Sequence, residues 1–367
     1  MHNERFPQLV IDLEKLRENI DWVVKTAGSQ GINVTGVIKG FNGLPEMIEV
    51  YLKSGVSGIG SSRLDQLERA KELKEKMGID KPLVLIRVPM LSEVEKVISI
   101  TDASLNSEPV VLEALNKEAV KQGKAHRVIL MADLGDLREG FWDVDYMVEA
   151  AIKVEKELSN LVLAGIGTNL GCYGALVPTA EKIGELIPIR DAIEKAIGRR
   201  LKVVSGGAST SFMRVMDDNM PEGVNHLRMG ENILLARDNS VFFNYDTRPL
   251  HRDVFTLRAE VIEVKDKPSY PVGEICVDAF GKRPVYHDRG MRRRALLALG
   301  KVDCGSPDEI FPRREGVEVL GGSSDHTIVD VEGIEDIKVG DVLDFDIDYA
   351  SMVYLTLSPD VKKVFKN

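Results

Sequence analysis

Between residues 126 and 235 the chain reads, in order, VILMADL (128–134), LVLAGIGTN (161–169), LKVVSGG (201–207) and HLRMGENILL (226–235), with VDYMVEAAIKVEKEL (144–158) between the first two. The short runs are rich in β-branched and small apolar residues, whereas the longer segment repeats its apolar positions every three to four residues, as a helix does. Successive strand, helix, strand units imply a parallel sheet, because two parallel strands cannot be joined by a tight turn. Toward the N-terminus the pattern continues through VTGVIK (34–39), GIGSS (58–62), PLVLIRV (82–88) and ASLNS (103–107), with LDQLERAKELKEKM (64–77) as a further helix. Eight candidate strands in about 200 residues suit a closed (β/α)8 barrel near its lower size limit better than an open doubly wound sheet. Such a barrel carries its active site at the C-terminal ends of the strands. That rule singles out Lys39, Ser61, Arg87, Asn106, Arg138, Asn169, Ser209 and Arg228.

Past Pro249 the texture changes to strand patterns such as VFTLRAEVIEVKD, RRALLALGKVD, EVLGGSSDHTIVDVEG and GDVLDFDIDY, separated by Gly, Pro and Asp turns. The expected organisation is an α/β barrel over residues 1–249 followed by a C-terminal β domain over 250–367. The opening QLVIDL is also strand-like, and it is expected to pair with the β domain.

The 367 residues carry a net charge of −10 with acidic and basic residues interleaved, so no basic stripe exists to neutralise a run of phosphates. Nucleic acid is therefore not an expected partner. The first residues lack an apolar core of signal-peptide length, and no apolar run approaches the roughly 20 residues that span a bilayer. A cytoplasmic protein without a membrane partner is expected. Cys172, Cys276 and Cys304 are widely spaced with no CxxC pair, which reads as free thiols and gives no metal site.

Lys39, in VIKGFNG, ends the first barrel strand. Desolvation among apolar strand residues lowers an amine pKa, and that suits Schiff-base chemistry; the plainer reading is a lysine snorkelling at a strand end. The loop SGGASTS (205–211) follows the seventh strand, where such barrels often bind phosphate. Its glycines let backbone amides approach an anion while Ser209 and Thr210 offer hydroxyls; the plainer reading is a flexible loop. Arg228, next to Gly230, needs an acceptor if it points into the barrel, either a ring nitrogen, a carboxylate or a structural salt bridge. Arg138 suits a substrate carboxylate, or else Asp136 or Glu139.

Taken in order, IDLEKLRENI, VIKGFNG, ADLGDLREGF, GIGTN, SGGAS and LRMGE resemble the landmarks of the alanine racemase family of pyridoxal phosphate enzymes over nearly the whole chain. Within it the chain looks most like the ornithine and lysine racemase group, in which DLGDLREG, GIGTNL and SGG recur with a strand bearing SSDH. The resemblance implies a pyridoxal 5′-phosphate-binding (β/α)8 barrel followed by a β domain. It also implies a homodimer in which the β domain of one chain completes the active site of the other. By the resemblance Lys39 carries the cofactor, Arg228 bonds its ring nitrogen, Ser209 and Gly230 contact its phosphate, Asn169 lies beside its ring and Arg138 orients the substrate carboxylate. An arginine does not readily give up its proton, so the ring nitrogen stays unprotonated and the cofactor is a weaker electron sink, which favours quick return of the α proton.

The chain departs from the family at the second base. Where a tyrosine stands in the family's GYADG segment, this chain reads GKVDCG and places Lys301 there, with Asp303 and Cys304 close by. Gly43 stands near the place of the tyrosine that usually follows the catalytic lysine, Phe365 replaces a phosphate-binding tyrosine, and Met131 aligns with a lysine that can be carbamylated. Two-base racemisation needs a second proton carrier on the face opposite Lys39. Lys301, by alignment, and His326, by its near-neutral unperturbed pKa, both qualify.

The function implied is racemisation of a free basic amino acid, ornithine or lysine, toward which Asp136 and Glu139 could attract an ammonium. The alternatives are a racemase for alanine or for a broad range of substrates, a metal-assisted lyase of the D-threonine aldolase or D-serine dehydratase type using Asp325, His326 and Cys304, and a pyridoxal phosphate carrier. The lyase wants more convergent ligands than the sequence offers. The carriers resembling this barrel have a single domain.

Overall fold

The computed structural model describes residues 4–367, which fold as two compact units. The first runs from Leu16 to His251; the second joins the segment ending at Lys15 to Arg252–Asn367. Among the described residues no helix is long and apolar enough to cross a membrane.

The second unit contains β1 (Gln8–Asp12), treated below with its partners, whereas the first is built on β2 (Asn33–Val37), β3 (Gly58–Ser61), β4 (Leu83–Leu85), β5 (Ala103–Asn106), β6 (His126–Met131), β7 (Leu161–Gly167), β8 (Val203–Ser205) and β9 (His226–Met229). These eight strands form a closed parallel barrel, β9 returning to β2 with Thr35 opposite Arg228. The helix Leu64–Met77 shows why the connections coil: Leu64, Leu67 and Ala70 fall on one buried face, and Gly78 ends it in the left-handed conformation at φ 65°. Pro109 starts the helix Pro109–Gln122, where its missing N–H is harmless, and Gly123 stops it at φ 63°. Inside the barrel Leu105, Ile129, Met131 and Ala164 pack together, with Ile86 and Val203 against them. Strand β7 approaches β8 so closely that a Cβ on Gly165 would stand 1.9 Å from the Val203 carbonyl oxygen, so no side chain fits there.

His126 opens β6 and is almost wholly buried. Asn106 donates to Ser104 Oγ at 3.0 Å, and Ser104 in turn meets His126 Nε2 at 2.8 Å. Burial holds the imidazole pKa down to about 4 against an ordinary 6.5. A histidine kept neutral by folding contributes stability that is present above the unfolded pKa and is lost as the pH falls through the folded one. Between about pH 7 and pH 5 this group should remove about 2 kcal/mol of stability. Urea unfolding at the two pH values should show wild type losing about 2 kcal/mol more than His126→Gln, because the buried His226 contributes equally to both; equal losses would refute it.

In the second unit β10 (Phe255–Pro268), β11 (Met291–Leu297), β12 (Ile310–Pro312), β13 (Glu318–Gly322), β14 (Thr327–Asp330), β15 (Val342–Ile347) and β16 (Lys362–Lys366) join β1 in one eight-stranded sheet. Its main path is β12-β15-β10-β11-β14-β13, and β1 lies between β10, to which it is antiparallel, and β16, to which it is parallel. The helix Tyr349–Leu357 is absent from the sequence reading, because its YASMVYLTL is apolar and partly β-branched. Asp348 caps it by accepting from the Ser351 amide at 3.1 Å.

Candidate functional site

Lys39 stands two residues past the end of β2. The turn behind it is braced by the helix Leu64–Met77: Arg69 donates to the carbonyls of Asn42 at 2.6 Å and Gly43 at 3.2 Å, and Gln66 donates to Asn42 Oδ1 at 3.2 Å. The amine reaches solvent at the barrel mouth, yet protein surrounds it on most sides. Desolvation lowers its pKa from the ordinary 10.5; Arg138 and Arg228 lower it too, against the opposing pull of Cys172 and Glu139. Four side chains from three chain segments thus act on one amine.

Arg228 points into the barrel, 5% exposed. It donates to Ser205 Oγ at 2.5 Å and to the Thr168 carbonyl at 2.7 Å. Arginine has only donors, so Ser205 accepts from it, and the Ser205 hydroxyl also shares a hydrogen bond with His226 Nδ1, 2.8 Å away, while Nε2 shares one with Thr35 Oγ1 at 2.8 Å. Burial, with Arg228 adding to it, pushes His226 down to about 3, so the ring stays neutral. Burial also pushes Arg228 down to about 10, which leaves it charged at neutral pH. The sequence reading missed Ser205 and His226 as supports. The signal was present, since His226 and Arg228 are two residues apart on one strand and share a face.

After β8, Gly207 takes φ 122° and Ser209 turns its hydroxyl to accept from the amides of Gly230 at 3.1 Å and Asn232 at 3.2 Å. Asn239 donates to the Ser209 carbonyl at 3.2 Å. The Thr210 hydroxyl lies 3.4 Å from the Leu170 carbonyl. Ser211 Oγ in this loop and Asn232 Nδ2 in the turn of helix after β9 are buried with no protein partner. Unpartnered buried donors of this kind are costly unless something accepts from them, and with the glycine turn they fit a phosphate group.

The loop after β6 leaves the barrel and comes back: Phe141 donates to the Met131 carbonyl at 2.7 Å and accepts from the Asp133 amide at 3.0 Å. Asp136, 2% exposed, accepts from the backbone amides of Gly171 (2.9 Å), Tyr173 (3.2 Å) and Gly174 (3.1 Å), which ties the loop after β7 to the loop after β6. Arg138 binds Glu139 through Nε and Nη2, the latter at 2.6 Å to Oε1. With its amide turned to satisfy its neighbours, Asn169 accepts from Arg138 Nη2 at 3.1 Å. Burial lowers the Arg138 pKa, but Glu139 outweighs it and leaves the net shift upward. The barrel unit therefore brings together Lys39, Arg138, Asn169, Ser209, Arg228 and Gly230.

Lys301 and His326 belong to the other unit, where Lys301 opens the short helix Lys301–Cys304 and His326 lies in the turn before β14. The amides of Lys301 and Val302 donate to the carbonyls of Ser323 (3.0 Å) and Ser324 (3.1 Å), and a Cβ on Gly300 would stand 1.9 Å from the Ser324 oxygen. Lys301 Nζ is 4.1 Å from the ring centre of Phe280 and 3.5 Å from Asp278. His326 is exposed. Cys304 is buried and donates to the Gly300 carbonyl at 3.3 Å, while Asp325 accepts from Ser324 at 2.6 Å. Among the described residues no group of three or more His, Cys, Asp or Glu side chains is placed to hold a metal ion.

Comparison with known proteins follows the same outline. The family model for the alanine racemase N-terminal domain matches residues 11–237. An ornithine racemase of Acetoanaerobium sticklandii is 38% identical over 349 residues, covering 95% of this chain and 96% of that protein. A lysine racemase of Thermotoga maritima is 38% identical over 361 residues, 98% of this chain and 99% of its own length. Among solved structures, an alanine racemase from Streptomyces lavendulae superimposes with a TM-score of 0.75 at 17% identity over 100% of this chain and 98% of its own. A histidine racemase from Leuconostoc mesenteroides gives 0.70 at 16%, covering 100% and 99%.

Proposed function

We propose, proceeding from the fact that this chain belongs to the alanine racemase family and is an amino-acid racemase, that its substrate is a free basic amino acid, ornithine or lysine, and its cofactor pyridoxal 5′-phosphate. The observation that carries the reading is the meeting of a desolvated lysine, two arginines and a phosphate-suited loop at one barrel mouth. The names of the two relatives at 38% identity support the basic substrate.

Pyridoxal phosphate, when bound, supplies the electron withdrawal that makes the substrate α proton removable. Lys39 is the group to hold it and, as a free base, to take up or return the α proton on one face. Ser209, Gly230 and Asn232, with Ser211 and Asn232 Nδ2 behind them, would hold the phosphate. Arg228, locked by Ser205 and Thr168, presents a donor that keeps its proton and so does not protonate the ring nitrogen. Arg138 would leave Glu139 to bind the substrate carboxylate, with Asn169 steadying it. The opposite face falls to Lys301 or His326, reached in a homodimer from the partner subunit.

The deciding experiment loads the purified protein with pyridoxal phosphate and incubates it separately with L-ornithine, L-lysine and L-alanine. Chiral chromatography should show D-ornithine or D-lysine rising toward equal amounts of both enantiomers, and alanine turned over far more slowly. Absence of both basic D-enantiomers would end the substrate reading.

A further inference from the structure

The loop after β6 holds three carboxylates close to Arg138, and the structure separates their tasks. Asp133 Oδ1 accepts from the amides of Gly135 at 2.9 Å and Leu137 at 3.1 Å. Asp136 is buried on three backbone amides. Both are occupied in shaping the loop. Glu139 is different, because its partner is a side chain, and that side chain is the arginine expected to receive the substrate carboxylate. It also lies near enough to Lys39 and Arg228 to act on both. Its side chain is 18% exposed and that of Arg138 is 38% exposed.

We propose that Glu139 is the specificity residue that receives the distal ammonium of the substrate, freed for that task when the substrate carboxylate takes Arg138. This rests on the basic-amino-acid reading above. Before binding, Arg138 and Glu139 neutralise each other. A diamino acid brings one carboxylate and one distal ammonium, so the exchange replaces one internal ion pair with two ion pairs to the substrate and leaves no charge unmatched. An amino acid with an apolar side chain takes Arg138 and strands Glu139, partly buried and unpaired. A site that loses a partner in this way rejects the wrong substrate by more than the missing contact alone.

The backbone is suited to such a trade. Gly140 follows Glu139 at φ 142°, and a Cβ there would stand 2.3 Å from the Asp133 amide nitrogen, so the loop folds back directly after Glu139. The two bonds of Phe141 then close it onto the barrel. The main chain is pinned on both sides while the two charged side chains remain free to change partners. In extended ornithine the carboxylate carbon and distal nitrogen are on the order of 6 Å apart, a span that neighbouring side chains on one loop can bracket.

The test uses two ligands that cannot be racemised. 5-Aminopentanoate is ornithine without its α-amine, and pentanoate lacks the ammonium as well. Calorimetric titration of the cofactor-loaded enzyme should show wild type preferring 5-aminopentanoate by about 10-fold or more. Glu139→Gln should reduce the preference to within about 2-fold, and Glu139→Asp, which keeps the charge, should retain most of it. Thermal melting of each variant guards against a folding defect. No preference in wild type, or a preference that survives Glu139→Gln, overturns the proposal. Racemisation assays on the same preparations distinguish the two ideas: wild type that shows the preference yet racemises neither ornithine nor lysine overturns the substrate reading and leaves the ammonium site standing.

Discussion

Replacing Lys39 by alanine should lower racemisation by roughly 10³-fold or more, since one group would be lost both as cofactor anchor and as proton carrier. The visible absorbance band of the bound cofactor should vanish with it, whereas borohydride reduction of wild type followed by peptide mapping should label the segment containing Lys39. Retention of both band and activity in Lys39→Ala would place the chemistry on another lysine. The pH profile offers a second check with a definite sign. A base must be deprotonated to accept a proton, and desolvation lowers the Lys39 pKa from 10.5. The rising limb of activity should therefore lie at lower pH than an ordinary lysine would give. Substitutions that open the barrel mouth to water should move it upward.

Asp136→Ala should act through structure. The carboxylate satisfies three backbone amides of the 171–174 turn from a position 2% exposed, and alanine leaves them without a partner. Losing such charge-assisted bonds should destabilise the protein by about 3 kcal/mol. It should also cost roughly 10²-fold in turnover, because the loops that carry Arg138 and Cys172 would no longer be tied. Gly174 adds to the tightness, since a Cβ there would stand 2.8 Å from the Asp136 carbonyl oxygen. Denaturant unfolding and steady-state kinetics of the variant measure both effects. A variant as stable as wild type would mean that water replaces the carboxylate at little cost.

Much of this was legible in the chain itself. The eight strands could be read because parallel barrel strands, covered on both faces, are short apolar runs separated by helices of clear periodicity. The placement of Lys39 and Arg228 at the barrel strands could be read because the strand runs themselves are legible. The supports were harder to see. His226 shares a strand face with Arg228, but Thr35 meets it only once β2 pairs with β9 and the barrel closes, so beyond that face no local pattern announces their chain of hydrogen bonds. The division of labour between Asp136 and Glu139 was invisible for a related reason: the residues are three apart with equal charge, and only backbone geometry tells a loop-shaping carboxylate from an exchangeable one.

The pairing of β1 sets the order in which the molecule can be finished during synthesis. Gln8 lies opposite Arg258 in one neighbouring strand and Lys362 in the other. The ribosome must add some 250 residues before the first of these partners exists, a wait of roughly 10–50 s at usual rates of elongation. Throughout that time LVI at 9–11 is a strand without its partners, while all eight strands of the barrel are added before the first of them. A ribosomal stop between His251 and Phe255 would thus release a chain with all eight barrel strands and an orphaned β1, the kind of sticky end that chaperones and proteases recognise.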